Sequence, residues 1–329
     1  MEINSKLIEI KSEYGAKRRL CSFFQKETDM EKKRMLFIYN PRAGKARIRS
    51  NLLDIIDIFT KAGFEVTAYP TQAKGDGLKA VKERKRGQED YDLIVCSGGD
   101  GTLDEVVTGM MQCEERIPIG YVPAGSTNDF ANSLQIPKNM IRAAQTIVEG
   151  RTFGCDVGEF NDDIFVYIAA FGVFTDVSYE TPQDIKNVLG HMAYVLEGMR
   201  RLPSIKAYKL KVESRELSVE GEFLFGMITN STSVGGFKRI TGKYVQLDDG
   251  EFEVTLIKKP SNPIELNLIM AALINRNINT DCMYCFKANA LKIMSEEEIA
   301  WTLDGEFGGR HKEVNIKNHM QALRIRVPE

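Results

Sequence analysis

The 329-residue chain has one tryptophan, three histidines and six cysteines. No apolar run reaches the roughly 18 residues that a transmembrane helix needs, and the charged N-terminus has no signal-peptide core, so a cytoplasmic protein is expected. Cys21, Cys96, Cys113, Cys155, Cys282 and Cys285 are scattered, which suits reduced thiols better than a disulfide framework. Cys282-Met-Tyr-Cys285 lacks a second pair and a nearby histidine, so it reads as two thiols on or beside a strand rather than a zinc or redox site. His191, His311 and His319 have no partners at ligand spacing and read as surface or packing residues. Walker A chemistry is missing, because Gly44-Lys45 has neither the upstream glycine nor the following Ser or Thr. No G-x-G-x-x-G opens the first helix, which weighs against a dinucleotide site. A net charge of -2 argues against a dedicated nucleic-acid binder.

What remains is an ordinary globular composition, 43% hydrophobic and 27% charged, long enough for two domains. Met1 to Lys33 reads as a charged extension whose Lys17-Arg18-Arg19 cluster is solvated, with Met30 and Met35 as alternative starts and a lipid-touching helix as the competing reading. From Met35 the pattern becomes regular. Strands are expected over Met35 to Tyr39, Phe64 to Tyr69, Asp92 to Cys96 and Pro118 to Val122. Helices are expected over Ile48 to Ala62, Gly77 to Arg86, up to about Gln112, and Lys138 to Gly150. This alternation predicts an α/β layer with a mainly parallel sheet and ligands at the carboxyl ends of its strands. Beyond Arg151 the chain reads as short strands: Phe153 to Phe160, Ile164 to Phe171, Lys206 to Val212, Leu217 to Val219, Phe223 to Thr229, Phe252 to Ile257 and Ala290 to Met294. Two helices interrupt them, Asp184 to Leu202 and Pro263 to Asn275. The expected division is 1–33 extension, 34–150 α/β domain and 151–307 β-rich domain, with about 308–329 a candidate to return to the first domain.

Three loops follow strands of the first domain: Asn40-Pro41-Arg42-Ala43-Gly44-Lys45, Gly98-Gly99-Asp100-Gly101-Thr102, and Pro123-Ala-Gly-Ser126-Thr127-Asn-Asp129. Each supplies glycine for close backbone approach and hydroxyls or amides for hydrogen bonds, and the first adds cations at Arg42 and Lys45. Singly, the first and third read as turns; together on one sheet edge the three point to a nucleotide phosphate. Asp100 is the natural group to hold Mg²⁺ through water or phosphate. Late in the chain, Leu303-Asp304-Gly305-Glu306 places two carboxylates around a glycine, either as a proton-accepting pair or as an Asp-Gly hairpin turn. Gln246-Leu-Asp-Asp249-Gly-Glu251 reads as a turn or a small oxygen-ligand metal site.

With these motifs in order, and with the Gly235-Gly236-Phe237 turn and Leu247-Asp-Asp-Gly250 between them, the chain from about Arg34 onward resembles the diacylglycerol kinase catalytic-domain family, in particular its bacterial soluble lipid kinases. The resemblance implies a nucleotide half similar to NAD kinase and phosphofructokinase, a β-sandwich second domain and an active site between them. It implies transfer of the γ-phosphoryl of ATP to a lipid hydroxyl, first of all diacylglycerol giving phosphatidic acid. Asn40 to Gly44, Thr71, Gly98 to Asp104 (with Leu103 inside that run) and Thr127 would contact nucleotide. Asp100 would serve Mg²⁺-ATP, and Asp304 or Glu306 would be the general base. Gln246, Asp249 and Glu251 match a structural Mg²⁺ site. The third loop carries one residue more than many relatives, which leaves Ser126 and Thr127 as alternative nucleotide contacts. Expected partners are a lipid substrate at the membrane surface, reached by peripheral contact through the extension or Lys238 and Arg239, and a possible second copy of the chain. Competing functions are an NAD kinase, which shares the Gly-Gly-Asp-Gly-Thr loop but has Asn-Glu motifs downstream, and a silent nucleotide- or lipid-binding regulator, disfavoured by intact Asp100, Asp304 and Glu306.

Overall fold

The computed structural model describes residues 33–84, 90–172, 206–234, 237–238, 245–262, 264–265, 267–269 and 282–329. The extension up to residue 32, the helix expected over Asp184 to Leu202, the Gly235-Gly236 turn, Arg239 and most of the segment Pro263 to Asn275 lie outside the described residues.

The first half alternates strands and helices: β1 (Lys33–Tyr39), α1 (Ile48–Lys61), β2 (Phe64–Pro70), α2 (Asp76–Lys82), β3 (Leu93–Gly98), α3 (Asp100–Met111), β4 (Ile119–Pro123), α4 (Asp129–Ser133) and α5 (Met140–Glu149). The strands run parallel in the order β2-β1-β3-β4. β3 is buried at every position, as a central parallel strand covered on both faces requires. Because β1 to β2 steps one way and β2 to β3 to β4 steps back, right-handed crossovers put α1 on one face and α2 with α3 on the other. The packing follows suit, α1 against α5 and α2 against α3. α1 drives Ile48, Ile55 and Phe59 into the core, where Phe59 meets Phe37 edge-on with ring centroids 5.6 Å apart.

The second half contains β5 (Arg151–Phe160), β6 (Asp163–Phe165), β7 (Ile168–Gly172), β8 (Tyr208–Glu213), β9 (Ser218–Thr229), the two-residue pair β10 (Ser233–Val234) and β11 (Phe237–Lys238), β12 (Phe252–Lys258), β13 (Met283–Ala288), β14 (Ala290–Leu303) and β15 (Glu306–Val327). Here several expectations change. The two strands expected across 217–229 are one, β9, and the strand expected to end near Met294 continues as β14 to Leu303. Both are long because each serves two neighbours: β8 pairs with the first part of β9 and of β14, and β7 pairs with their last parts. The strand expected over Ile164 to Phe171 is broken at Val166 and Tyr167, whose backbone amides turn to the Asp304 carboxylate.

The β-rich half does not form a separate sheet. Thirteen strands are continuous, and β15 makes the join: it pairs with β14 and β5, then Ile325 pairs in parallel with Ile119 of β4. A core of Phe160, Phe171 and Trp301, with Trp301 edge-on to both phenylalanines at 5.0 and 4.9 Å, sits within the second half. The larger core beneath the parallel sheet extends to Tyr167, Phe225, Met227 and Ile257. With hydrogen bonds and apolar contacts both crossing the junction, the two halves are expected to unfold together. The single tryptophan, Trp301, reports the second half, while amide hydrogen exchange at β1 and β3 reports the first. Coincident denaturant transitions by the two probes are expected; separated midpoints would contradict the coupling.

Candidate active site

The four parallel strands end level with one another, so their loops share one edge. Backbone bonds carry the sheet register into those loops: Asn40 N–H to Ser97 O at 2.8 Å, Ala124 N–H to Gly98 O at 2.8 Å, and Thr71 N–H to Tyr39 O at 2.9 Å. Gly44 has φ +52°, and a Cβ there would sit 1.7 Å from the Ala124 carbonyl oxygen, so only glycine lets the first loop lie on the third. Gly125 is tight against Gly99, less so than Gly44 on Ala124: a Cβ on Gly125 would come within 2.8 Å of the Gly99 Cα. Pro41 and Arg42 form the turn after Asn40, whose Oδ1 accepts the Arg42 N–H at 2.9 Å. The segment Ala43–Ala46 is not a regular helix, since Gly44, Lys45 and Ala46 are left-handed. The Asn40 amide reaches Thr102 Oγ1 at 3.5 Å, Gly101 is open to solvent and Leu103 anchors α3 in the core.

Asp100 opens α3. Its Oδ2 accepts from Thr127 Oγ1 at 3.4 Å and from the Asn128 N–H at 3.1 Å. Thr127 therefore meets Asp100, while Ser126 stays exposed. The Asp100 Oδ1 is buried without a hydrogen-bond partner among the described residues. An orphaned carboxylate oxygen at a phosphate-ready loop suits a hard cation, which needs only one or two carboxylates when phosphates complete its shell. Burial, reinforced by the Asp129 charge, pushes the Asp100 carboxyl up to about 6.

One turn along α3, Asp104 faces the second half, because α3 packs against β6 and β15. Burial and the surrounding carboxylates Asp304, Glu105, Glu306 and Asp163 push Asp104 well above the usual carboxylate range. Asp304 and Gly305 form the two-residue turn joining β14 to β15, at φ +50° and +86°. The hairpin turn and the carboxylate pair are thus the same feature. Asp304 is buried; its Oδ2 accepts the Val166 N–H at 2.5 Å and its Oδ1 accepts those of Tyr167 and Ile168, each at 2.9 Å. Burial raises the Asp304 carboxyl while these three donors work the other way. Glu306 is exposed and faces Lys74, Nζ to Oε2 3.4 Å.

Three positioning residues escaped the sequence reading. Asn128, left-handed at φ +52°, closes its own loop by bonding Gly125 through both ends of its amide at 2.9 Å. Asp129 is buried and accepts from Ser233 Oγ at 2.6 Å, tying the third loop to β10. Glu105 accepts the Gly75 and Gly77 N–H groups at 2.7 and 3.0 Å, fastening the loop before α2 to α3.

In the loop of Gln246, Asp249 and Glu251, Asp249 Oδ1 accepts the Glu251 N–H at 3.1 Å, and Asp249 Oδ2 meets the Lys287 ammonium at 2.5 Å. Lys287 also lies 3.5 Å from the buried Glu253. Asp156 gathers the same loop, accepting the Gly250 and Gln321 N–H groups at 2.7 Å each. Cys282 and Cys285 lie beside and on β13 without a disulfide, His319 pairs with Glu159 at 2.5 Å, and His191 lies outside the described residues.

Loops suited to phosphate at the strand ends thus face the buried Asp304 carboxylate across the junction of the two halves. The family model for the diacylglycerol kinase catalytic domain matches residues 34–160. The chain is 34% identical over 294 residues to a diacylglycerol kinase of Bacillus subtilis (strain 168), spanning 88% of this chain and 96% of that one. It is 35% identical over 293 residues to a diacylglycerol kinase of Staphylococcus carnosus (strain TM300), spanning 88% and 94%. In fold it is similar to a crystal structure of a diacylglycerol kinase from Bacillus anthracis str. Sterne, with TM-score 0.71 at 23% identity over 91% of this chain and 98% of that one. The chain belongs to the diacylglycerol kinase catalytic-domain family and is a lipid kinase. Among the described residues no helix is long and apolar enough to cross a membrane.

The raised Asp100 carboxyl has a consequence for stability. Between about pH 4 and 6 the folded chain holds a proton that the unfolded chain has released, so stability falls as pH rises through that window. A displacement from 3.8 to about 6 corresponds to about 3 kcal/mol once the group is ionised. Asp100→Asn is expected to raise Tm relative to the parent at neutral pH and above, and to change it little near pH 4. Thermal melts across pH check this; an equal gain at both ends would contradict it.

Proposed function

We propose that the protein transfers the γ-phosphoryl group of ATP to the free hydroxyl of diacylglycerol, giving phosphatidic acid and ADP. The observation that carries this reading is the line of carboxylates Asp100, Asp104 and Asp304, which runs from the phosphate loops to the acceptor side, each pushed up by burial, with Asp104 raised further by Asp304 and Asp304 by Asp100. ATP lies along the loops after β1, β3 and β4, its phosphates against the Asn40 to Gly44 turn and the start of α3, whose free N–H groups and dipole favour an anion. A Mg²⁺ ion carried with ATP would be held at Asp100, where it neutralises phosphate charge as the phosphoryl group departs. The nucleotide half then works like that of NAD kinase and phosphofructokinase.

Asp304 is the general base. Its three backbone donors fix the carboxylate in place, and Oδ2, with one donor, keeps a lone pair for the acceptor hydroxyl. The hydroxyl oxygen bonds to the γ-phosphorus, its proton passes to Asp304, and the bond to the bridging oxygen breaks with its electron pair leaving on ADP. Glu306, exposed beside Lys74, lies at the mouth of the site rather than in it. The reading of diacylglycerol as acceptor is supported by the relatives named diacylglycerol kinases. Access to that lipid requires peripheral contact with the membrane surface.

Purified full-length protein with radiolabelled ATP, Mg²⁺ and diacylglycerol vesicles is expected to yield labelled phosphatidic acid. Asp304→Asn is expected to lower kcat by about 100-fold or more while ATP binding persists. Because three buried N–H groups depend on this carboxylate, each variant's Tm is measured alongside, and Glu306→Gln serves as the exposed control with a smaller loss. Unchanged turnover in a folded Asp304→Asn chain would overturn the assignment of the base, and label on NAD instead of lipid would overturn the acceptor.

A further inference from the structure

Lys74 sits in a loop that is held far more firmly than its exposure suggests. Asp76 Oδ2 accepts the N–H groups of Gln72 and Ala73 at 2.6 and 3.0 Å, and Glu105 accepts those of Gly75 and Gly77 at 2.7 and 3.0 Å. Gly75, at φ +90°, takes a left-handed conformation that reverses the chain just after Lys74. Four backbone donors around one lysine are thus fixed by two carboxylates, and one of these, Glu105, is the immediate neighbour of Asp104 on α3. The helix that begins with Asp100 therefore also sets where Lys74 stands. The lysine side chain itself is 85% exposed and meets Glu306 at 3.4 Å, a geometry too loose and too solvated to be a fold-stabilising bond. The rigid base and the weakly held charge call for a different account.

We propose that Lys74 is a catalytic residue that exchanges Glu306 for the phosphoryl group in flight. This inference rests on the kinase reading given above. Among the described residues, the charges acting most strongly on Asp104 are carboxylates, and Asp100 and Asp304 are raised rather than lowered by their surroundings. A multiply charged phosphoryl group outcompetes one exposed carboxylate for an ammonium. In the transfer step the acceptor oxygen bonds to the γ-phosphorus, the proton goes to Asp304, and the bond to ADP breaks with its electron pair on the leaving oxygen. Lys74 donates to the non-bridging oxygens on the side away from Asp100, adding to the positive charge that Arg42 and Lys45 bring from the first loop. Lys74 lies on the nucleotide half and Glu306 on β15, so the exchange removes a contact between the halves.

The test uses the full chain with ATP, Mg²⁺ and diacylglycerol vesicles, and compares the parent with Lys74→Ala, Lys74→Gln and Lys74→Arg. Lys74→Ala and Lys74→Gln are expected to lower kcat by about 100-fold, with KM for ATP changed by less than about 3-fold and Tm unchanged. Lys74→Arg keeps the charge and is expected to recover part of kcat. If the lysine only tethers the two halves, the exchanged pair Lys74→Glu with Glu306→Lys would restore turnover, which would overturn the proposal. An effect confined to the KM for vesicles would overturn it too, since the anion then bound would belong to the lipid surface. An active parent with an unchanged Lys74→Ala variant would reject Lys74 alone, whereas a parent inactive on every lipid acceptor would reject the kinase reading with it.

Discussion

Buried negative charge at the junction of the two halves is the constraint on which the rest of the structure depends. Asp100, Asp104 and Asp304 all lie where water is scarce, and each is raised from its ordinary value. Burying carboxylates together is costly, and the fold tolerates it through directed donors: three backbone N–H groups for Asp304, and a hydroxyl and a loop N–H for Asp100. Asp100 and Asp104 stand on the first half and Asp304 on the second, so the charge cluster exists only when both halves are folded. β15 makes that possible by running from the Asp304 turn back to β4 within one sheet.

The loops work by a different economy, the near-contact of backbone with backbone. Gly44 against Ala124 and Gly125 against Gly99 leave no space for a Cβ, so the three loops behave as one surface rather than three turns. Sheet register reaches into them through the bonds from Asn40 and Ala124 to β3. A phosphate chain laid on such a surface meets N–H groups already fixed in direction, which reduces the ordering cost of binding. The polar latch Asp129 to Ser233 then carries the position of the third loop into the β-rich half.

Much of this was legible in residue order. The glycine-rich loop after an apolar run, the αβ alternation and the late Leu-Asp-Gly-Glu are local signals, and the structure puts them where local rules place them. What the sequence could not show were partners distant along the chain. Nothing local to Glu105 shows that Gly75 and Gly77 fold onto it, and nothing local to Asp249 shows that Lys287 of β13 meets it. The strand expected across Val166 and Tyr167 has the right alternation; only the Asp304 carboxylate, 136 to 138 residues later, explains its break. The two segments read as separate strands over 217–229 are continuous because β8 and β7 take successive parts of β9, a pairing that alternation does not encode.

Burial raises the Asp100 carboxyl to about 6, so near that pH a cation arriving there with nucleotide would displace a proton. Calorimetry of Mg²⁺-ATP binding near pH 6, repeated in buffers of different ionisation enthalpy, measures the protons exchanged on binding. A cation at Asp100 favours the ionised carboxylate, so binding is predicted to release protons, and Asp100→Asn to release fewer. Binding of Mg²⁺-ATP with no proton release from the parent chain, or with the same release from Asp100→Asn, would contradict the account.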